Sequence, residues 1–469
     1  MAAIQSTSKL ARYKRTLRSF LPQGKTKLLG SAPPLAGGYI PYLGYGLRYG
    51  NQGPELFREL KKRWGNVFTL RMVGKHITFG LDKDFVKQLY SAPHEKISFF
   101  EGLKQFRGFG TIIRFEATGP EGKNVGLKVL REHLAPRVKE ASKELDQEVR
   151  DALSRLSEKG QLNLRTDLST AIVQLTSYLL VGPRLARDPE FLATMSEFDE
   201  ATHGMATSLF SQRPLERAAL VRNRVVKHLC DELDKKRQED PPDTPDLLDC
   251  MLVARDSEDN PFTNEQIADE LVGYLFGTTA NTPAAAVMLM YHILQDPDLR
   301  RRVEEELQEV RQQCGDVLDF GALRKLKFLD ACLNETLRLY TSGMHLRCLK
   351  QDTQMGPYLI PAGELVGTSP YVLHRDPSVY PNPDAFDPDR FLTSKPPSLH
   401  FVPFGRGLHA CVGQRLAKAE IMLVVARVFT DLQPSLVPLE KPFKVNWKTA
   451  GLACSHESLT VQVTPSEEQ

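Results

Sequence analysis

The feature that most constrains this chain is the segment FGRGLHACVGQRLAKAE, which spans residues 404–420. It places three glycines, a histidine and one cysteine within ten residues and then continues without a break into a helical pattern. The six other cysteines are scattered, and neither a CxxC pair nor a Cys/His cluster accompanies them. This spacing argues against a disulfide scaffold and against a structural zinc site, so Cys411 needs an explanation of its own.

The setting of Cys411 suits a thiolate that faces a flat group. Phe404 and the glycines Gly405 and Gly413 let the backbone approach such a group closely, and the helix that starts after the cysteine favours a thiolate. His409, two residues earlier, could hold an anionic part of the same group. Axial haem ligation requires a thiolate aimed at one face of a planar cofactor. The alternative is an inert, buried cysteine.

The composition narrows the class of protein. Hydrophobic residues make up 41% and charged residues 25% of the 469, as in ordinary globular proteins. The formal net charge is +3, and no basic block coincides with a nucleic-acid motif, so we expect no nucleic-acid partner. No run of about 18 apolar residues occurs, and the sequence therefore predicts no membrane-spanning helix.

The N-terminal residues 1–28 form a basic segment that we separate from a domain at 29–469. Residues 1–54 contain eight Lys or Arg and no acidic residue, and apolar residues recur at helical spacing between positions 10 and 21. A basic amphipathic helix of this kind can lie on an anionic membrane surface. The alternatives are a solvated tail and a cleaved targeting segment. We expect a protein on the cytoplasmic side, soluble or peripheral on a membrane, which in a eukaryote would be the endoplasmic reticulum.

Hydrophobic periodicity predicts a mainly α protein with a minor β component in one domain. Helical periodicity dominates from about residue 120 to 340. The stretch VFTLRMVGKHITFG predicts a strand pair that turns at Gly74. The other predictions are a helix at 54–64, a loop at 237–246, short strands at 347–369, a turn-rich run at 374–397, a helix after Cys411 and a strand pair at 443–464.

One predicted helix is long and contains a proline in its interior. Thr263 and Gln266 form a capping box at the start of a pattern that runs to Asp296. Within it, Pro283 removes the usual partner of the Thr279 carbonyl, so we expect a bend there. The small polar residues before the bend offer a groove for a small ligand or water. The alternative is a kinked core helix whose hydroxyls bond their own backbone.

A second helix carries a pair of charges on an apolar face. Glu335 and Arg338 are spaced i, i+3 within ACLNETLRLY. An exposed pair of this kind contributes little, whereas burial would require a further partner. Arg390, in the segment DAFDPDRFL, is the candidate third member of the network.

Together these segments resemble the cytochrome P-450 superfamily. FGRGLHACVG matches the family's haem-binding pattern of Phe, Gly, Arg or His, Cys and Gly in order and spacing. Glu335 and Arg338 match its Glu-x-x-Arg helix, and PDRF at 388–391 matches its Pro-Glu-Arg-Phe segment with aspartate in place of glutamate. The agreement extends from about residue 30 to the C-terminus.

The resemblance implies a single-domain cytochrome P-450 fold. Haem b would lie between the long helix that contains Pro283, on the oxygen side, and the helix after the cysteine loop. Cys411 would be the ligand of the iron. It also implies that His409 and Arg347 pair with haem propionates, and that Lys128 or Arg131 adds a further propionate contact.

The oxygen-side helix departs from the family pattern. Most members carry an acid followed by a threonine, which organise proton delivery, and here these positions are Ala280 and Asn281. Alanine cannot relay a proton, whereas the asparagine carboxamide can hold water or a substrate oxygen. Ala280, Asn281 and Thr282 are the candidate catalytic residues. The run TTANTPA resembles the branch with the sterol 7α- and 12α-hydroxylases and prostacyclin synthase, and FRGFGTIIRF resembles the wider group with sterol 14α-demethylase.

The candidate substrate pocket is apolar, which favours a lipophilic small molecule, although core packing would give the same composition. The candidate pocket residues are Phe106, Phe109, Phe210, Gly277, Met344 and Leu452.

Three functions are compatible with these features. The first is a haem-thiolate monooxygenase that hydroxylates a sterol-like or other lipophilic substrate. No flavin domain is recognised in the sequence, so its electrons would come from a separate NAD(P)H-dependent reductase or a ferredoxin. The second, motivated by Ala280 and Asn281, is a reductase-independent isomerase or dehydratase of a lipid peroxide or endoperoxide. The third is a non-catalytic haem protein that binds a ligand as a carrier or sensor.

Overall fold

The structure is a computed structural model. It describes residues 32–36, 44–114, 116–158, 160–207, 212–240, 242–394, 396–439, 443–447, 451–455 and 459–464, without the side chains of 107, 109, 111 and 203–207. The basic segment at 1–28 lies outside the described residues, and so does Phe210.

Helices make up most of the described chain. They are α1 (Gly46–Gln52), α2 (Glu55–Trp64), α3 (Lys83–Ser91), α4 (Phe99–Lys104), α5 (Arg107–Ile112), α6 (Val125–Glu140), α7 (Ser142–Ser157), α8 (Leu164–Val181), α9 (Pro183–Ala186), α10 (Pro189–Thr207), α11 (Arg213–Lys236), α12 (Leu247–Val253), α13 (Asn264–Thr279), α14 (Asn281–Gln295), α15 (Pro297–Cys314), α16 (Phe320–Leu323), α17 (Lys327–Tyr340), α18 (Pro370–Leu373), α19 (Asp389–Thr393) and α20 (Gln414–Leu432), with a 3₁₀ turn at Gly407–His409.

The strands are short and form a minor component. They are β1 (Leu35–Ala36), β2 (Val67–Met72), β3 (Lys75–Gly80), β4 (Ile97–Ser98), β5 (Gln161–Asn163), β6 (His345–Leu349), β7 (Thr353–Met355), β8 (Tyr358–Ile360), β9 (Leu365–Thr368), β10 (Ser435–Leu436), β11 (Val445–Asn446), β12 (Cys454–Ser455) and β13 (Thr460–Gln462). The prediction of a mainly helical domain with a minor β component is confirmed.

The largest sheet in the described part of the chain has six strands in the order β1-β2-β3-β9-β6-β4. β2 and β3 are the predicted strand pair and run antiparallel, with Phe68 opposite Phe79. Gly74 makes the turn between them with φ +75°, a conformation that glycine adopts at little cost. β3 then pairs in parallel with β9, with Ile77 beside Leu365, so the sheet joins the two ends of the chain.

The helical core surrounds two helices that are buried on all sides along part of their length. Residues 171–181 of α8 and 282–290 of α14 are buried without interruption. A helix that is apolar around its whole circumference belongs in the interior of a large domain. α14 packs against α8, α17 and α20, and thereby crosses the centre of the molecule.

The long helix begins as predicted and is interrupted near Pro283, where a bend was expected. Thr263 and Gln266 form the capping box, which satisfies two backbone N–H groups at the helix start. The helix ends at Thr279, and Ala280, with φ −96° and ψ −44°, separates α13 from α14. Pro283 lies in the first turn of α14, where proline costs little. The break therefore allows the proline to be accommodated in the centre of the domain.

Among the described residues, we find no helix that is long and apolar enough to cross a membrane.

Candidate active site

The cysteine loop is held in a fixed shape by its own backbone. The N–H of Cys411 donates to the Phe404 carbonyl at 2.8 Å, and the N–H of Ala410 donates to the Gly407 carbonyl at 3.1 Å. Gly407 has φ +73°, and a Cβ built on it would lie 1.9 Å from the carbonyl oxygen of Tyr90 in α3. A residue other than glycine would therefore be strained at this position and would also collide with α3.

Cys411 is an exposed residue, yet its thiol is desolvated by the protein around it. Burial raises the pKa of this thiol, and the hydrogen bond from the Gly413 N–H opposes that shift. In the protein without a bound metal, desolvation opposes the thiolate that the helix start favours, and the effect of the helix start stays a prediction. A metal ion would remove the proton, since a coordinating thiol is deprotonated.

The central helix, α13 together with its continuation α14, has two exposed residues near the break at Ala280. Gly277 and Asn281, four residues apart and so on one face, are exposed, while Thr279 and Thr282 are buried. A Cβ built on Gly277 would meet no heavy atom within 4 Å. Open space beside the middle of a central helix is space for a ligand or cofactor.

Asn281 ties the break in the helix to the C-terminal part of the chain. Its Oδ1 accepts the N–H of Leu452 at 2.9 Å, and a Cβ on Gly451 would lie 2.0 Å from this oxygen. Because one lone pair of the oxygen accepts from a backbone donor, the carboxamide has its Nδ2 donors and the second lone pair to offer a ligand. The neighbouring Ala280 has no polar side-chain atom.

The hydroxyls before the break bond their own helix. Thr278 donates to the Leu275 carbonyl at 2.8 Å, and Thr279 donates to the Phe276 carbonyl at 3.4 Å. These two threonines follow the alternative of self-satisfied hydroxyls. Thr282, the third candidate catalytic residue, is 4% exposed.

Arg347 and His409 lie together beside the ring of Phe99. The Arg347 guanidinium is 4.8 Å and the His409 ring 5.2 Å from the centroid of that ring. Burial lowers the pKa of Arg347 to about 10, and burial, with Arg347 acting in the same direction, lowers that of His409 to about 3. A buried guanidinium requires an anion, so this pair suits a ligand with carboxylate groups.

An acidic residue that the sequence did not predict lies beside His409. The Glu121 carboxylate is 3.2 Å from His409 Nε2 and 3.8 Å from His94 Nδ1. It also accepts hydrogen bonds from the Ser98 hydroxyl and from the Phe99 N–H, the latter at 2.7 Å. These contacts, made across the fold, fix His409 beside the start of α4. The three side chains have the spacing of metal ligands, but nearby Arg347 opposes a cation there.

The two candidates on α6 are both exposed, and they differ in their contacts. Arg131 donates from Nη2 to the Leu408 carbonyl at 2.7 Å and so holds the cysteine loop. Lys128 lies one turn earlier on the same helix. The structure thus places Arg131 against the loop through a backbone carbonyl.

Glu335, Arg338 and Arg390 form a buried ion network. Glu335 and Arg338 have no exposed side-chain surface, and Arg338 Nε lies 2.6 Å from Glu335 Oε2. Arg390 Nε reaches the other carboxylate oxygen at 3.1 Å. Arg338 also donates to the carbonyls of His374, Pro383 and Ala385. This network fastens the turn-rich stretch before the cysteine loop to α17.

The candidate pocket residues fall into two parts of the core. Phe106 and Met344 are half-buried and pack against the apolar cluster of the six-stranded sheet. Leu452 is buried in the main helical cluster, beside Asn281. Phe109 lies on α5, but its side chain is outside the described part.

Comparison with known proteins identifies the family. Residues 33–463 match the family model described as cytochrome P450. The chain belongs to the cytochrome P450 family. The family recognised from the cysteine, Glu-x-x-Arg and PDRF motifs is therefore confirmed. P450 proteins bind haem iron through a cysteine thiolate, which confirms the predicted cofactor. Oxidoreductase and monooxygenase chemistry, lipophilic substrates and a redox partner are general to the family.

The P450 relatives are distant. Putative cytochrome P450 120 of Synechocystis sp. is 25% identical over 430 residues, which cover 87% of this chain and 93% of that protein. Lanosterol 14-alpha demethylase of Bos taurus is 25% identical over 414 residues, which cover 84% of this chain and 80% of that protein. The solved structure of retinoic acid bound cyanobacterial CYP120A1 is similar in fold, with a TM-score of 0.80 and 23% identity, and the match covers 93% of this chain and 100% of that one.

The residues present fit a haem. Haem has a flat face, an iron that needs an axial ligand and two carboxylates at one edge. The structure offers open space beside Gly277, a desolvated thiol on a glycine loop, and the buried cation of Arg347 next to His409. The chemistry of these residues is therefore compatible with each part of the cofactor.

Proposed function

We propose that this P450 is a haem-thiolate monooxygenase that hydroxylates a sterol-like or other lipophilic substrate, with Cys411 as the axial ligand. One observation carries the proposal: the central helix is open at Gly277 and Asn281, and its continuation packs against the helix that follows Cys411. When bound, haem supplies the activation of dioxygen by two electrons, so that one oxygen atom enters a C–H bond of the substrate.

The residues of the chain take defined parts in this proposal. Gly277 leaves room beside the cofactor, and Asn281 donates from Nδ2 to a water or to a substrate oxygen. Because Ala280 has no polar atom, protons reach the site through water held by Asn281. Arg347 and His409 pair with the propionates, and Arg131 holds the cysteine loop through the Leu408 carbonyl. Lys128 is a further propionate contact.

The proposed substrate class follows from the relatives and from the apolar pocket. One relative is a lanosterol 14-alpha demethylase, and the similar solved structure contains bound retinoic acid. Lanosterol is a sterol, and retinoic acid is an isoprenoid with one carboxylate. Phe106, Met344 and Leu452 present apolar surface of the kind that binds such lipids. The comparisons give no support to the peroxide isomerase. We therefore propose the oxidative reaction, with electrons from a separate reductase or a ferredoxin.

The ligand assignment is tested by the spectrum of the reduced carbon monoxide complex. We expect the red-shifted Soret band of thiolate ligation in the wild-type protein and its loss in Cys411→Ser. Cys454→Ser, at a partly buried cysteine outside the cysteine loop, is the matched control and should retain the band. A Cys411→Ser protein with an unchanged band would overturn the assignment.

The reaction is tested with lanosterol and all-trans retinoic acid as the first probes. We expect at least one lipid of a sterol and retinoid panel to shift the haem spectrum by displacing a distal water. With a reductase, the same lipid should accelerate NADPH consumption and yield an oxygenated product. Tight binding without any product, under conditions where the reductase reduces the haem, would contradict the proposal.

We propose further that residues 1–28 make a peripheral membrane contact. The observation behind this is the basic, amphipathic sequence of the segment. The full chain and a chain without residues 1–28 should be compared for cosedimentation with vesicles that contain anionic lipid. Equal binding of both forms would refute the contact.

A further inference from the structure

Three oxidisable aromatic rings form a row from α17 towards the protein surface. The ring centroids of Tyr340 and Trp447 are 6.1 Å apart, with the planes inclined by 19°. The centroids of Trp447 and Tyr371 are 5.2 Å apart, at 84°. Tyr340 and Tyr371 are buried, and Trp447 is half-buried. Each ring is therefore in contact range of the next, which is the spacing at which single electrons pass rapidly between aromatic side chains.

Each tyrosine of this row has a proton acceptor. The hydroxyl of Tyr340 lies 2.7 Å from Nε2 of His292. Burial lowers the pKa of His292 to about 4, so its ring is neutral near pH 7 and can accept a proton. The hydroxyl of Tyr371 donates to the carboxylate of Glu55 at 2.7 Å, and that carboxylate is exposed. Oxidation of a tyrosine requires loss of its phenolic proton, and both tyrosines have a base in place to take it.

The row starts beside the proposed haem pocket. The carbonyl of Tyr340 accepts the N–H of Ala453 at 2.8 Å. The residue before Ala453 is Leu452, whose N–H donates to Asn281 in the central helix. The backbone of Tyr340 is thus joined to the Asn281 side chain through Ala453 and Leu452, while Glu55 at the other end of the row is in contact with solvent.

We propose that Tyr340, Trp447 and Tyr371 form an electron-transfer chain that carries oxidising equivalents out of the haem pocket when no substrate is hydroxylated. The inference rests on the proposed function, because that function places the haem beside this chain. The oxidant is a peroxide that reacts at the haem, and the final electron donor is a soluble one-electron reductant such as ascorbate.

The steps balance in electrons and protons. Tyr340 gives an electron to the oxidised pocket and its phenolic proton to His292. Trp447 then reduces Tyr340 as the proton returns from His292, and the half-buried indole of Trp447 releases its N–H proton to solvent. Tyr371 reduces Trp447, which regains this proton from solvent, while the phenolic proton of Tyr371 passes to Glu55. Ascorbate restores Tyr371. After two passes, one hydrogen peroxide and two ascorbate monoanions have become two waters and two ascorbyl radical anions.

The Arg375 guanidinium determines whether oxidised Tyr371 is a cation or a neutral radical. The Arg375 guanidinium lies 3.8 Å from the Tyr371 ring centroid and 5.9 Å from the Trp447 centroid. A cation at this position disfavours a positively charged ring. Tyr371 therefore gives up its electron only together with the proton that Glu55 accepts, so the oxidised residue is a neutral radical next to solvent.

The test uses the fact that the chain has only two tryptophans, Trp447 and Trp64. Within the described part of the structure, no ring contact joins Trp64 to the row. Haem-loaded wild type, Trp447→Phe, Tyr340→Phe and the matched control Trp64→Phe are mixed with hydrogen peroxide without substrate. Protein radicals are measured by electron paramagnetic resonance in frozen samples, and haem loss is measured from the decay of the Soret band.

We expect Tyr340→Phe to lose most of the radical signal and Trp447→Phe to confine the radical to Tyr340, and both variants should lose haem several-fold faster than wild type. Trp64→Phe should behave as wild type, and Trp447→Tyr, which keeps an oxidisable ring, should restore slow haem loss. Ascorbate should slow haem loss in wild type, Trp64→Phe and Trp447→Tyr, and should have no effect in Trp447→Phe or Tyr340→Phe.

An equal rate of haem loss in wild type and Trp447→Phe would overturn the chain, provided both proteins show the thiolate carbon monoxide band. If Trp447→Phe fails to bind haem, the same comparison is made with Tyr340→Phe, which changes a single hydroxyl. Absence of the band in wild type is a different outcome, because it would overturn the proposed haem ligation itself.

Discussion

Replacing Glu420 by glutamine should remove roughly 2 kcal/mol of the change in the free energy of unfolding between pH 6 and pH 8. Glu420 lies on α20 and is 2% exposed. Thr176 donates to its Oε1 at 2.7 Å, and Oε2 has no hydrogen-bond partner among the described residues. Burial therefore raises the pKa of Glu420 to about 8, against the hydrogen bond from Thr176, which lowers it. A small void beside the carboxyl group is lined by residues without charge, namely Val138, Ser142, Leu145, Leu175, Phe320, Leu323, Leu416, Ala419 and Leu423.

The sign and size of this pH dependence follow from the pKa of the carboxyl group in the folded and in the unfolded protein. In the unfolded chain a glutamate has a pKa of about 4.3. Between that value and about 8, the native state holds a proton that the unfolded state has lost, so the free energy of unfolding falls by about 1.4 kcal/mol per pH unit. The contribution is fully present below the unfolded pKa and is lost as the pH rises through the folded pKa. From pH 6 to pH 8 the loss is roughly 2 kcal/mol.

The assay is urea unfolding followed by circular dichroism at pH 6, 7 and 8. From pH 6 to pH 8, the free energy of unfolding of the wild-type protein should fall by roughly 2 kcal/mol more than that of Glu420→Gln, because the amide does not titrate. Glu309→Gln, at an exposed position on α15, is the matched control and should follow the wild type. If wild type and Glu420→Gln lose the same free energy from pH 6 to pH 8, the reasoning from burial is refuted.

Three further substitutions test the site. Gly407→Ala should abolish haem loading, measured as the ratio of Soret to protein absorbance, because its Cβ would lie 1.9 Å from a backbone carbonyl of α3; normal loading would contradict this. Glu335→Gln should cost about 3–5 kcal/mol in urea unfolding, since it leaves the buried Arg338 without a carboxylate; a cost under about 1 kcal/mol would count against that network. Gly451→Ala should weaken lipid binding about tenfold in a spectral titration by displacing the Asn281 carboxamide; an unchanged dissociation constant would show that the contact is dispensable.

Local signals in the sequence were enough to predict much of the fold. The strand pair turning at Gly74 and the capping box of Thr263 and Gln266 depend on neighbours within a few residues, and both are present. The break before Pro283 was predicted from the chemistry of proline, although its position at Ala280 was not. The family motifs identified the fold because their order and spacing extend along most of the chain.

The parts of the site that the sequence did not predict are contacts between distant segments. Glu121 meets His409 across the fold, and the Asn281 carboxamide meets the N–H of Leu452. Neither residue carries a local pattern that names its partner. The desolvation that raises the pKa of the Cys411 thiol was not predicted for the same reason, because it depends on everything that packs around the loop.

The order of strands in the six-stranded sheet has a consequence for synthesis of the chain. β3 is complete at Gly80, but its neighbour β9 begins at Leu365, after nearly all of the helices have been made. At ribosomal rates the delay is on the order of tens of seconds. During that time β3 has an unpaired, apolar edge of the kind that joins other strands. Protection of residues 75–80 by a chaperone, or by transient packing on α2, would therefore limit aggregation of the nascent chain more than any property of the finished active site.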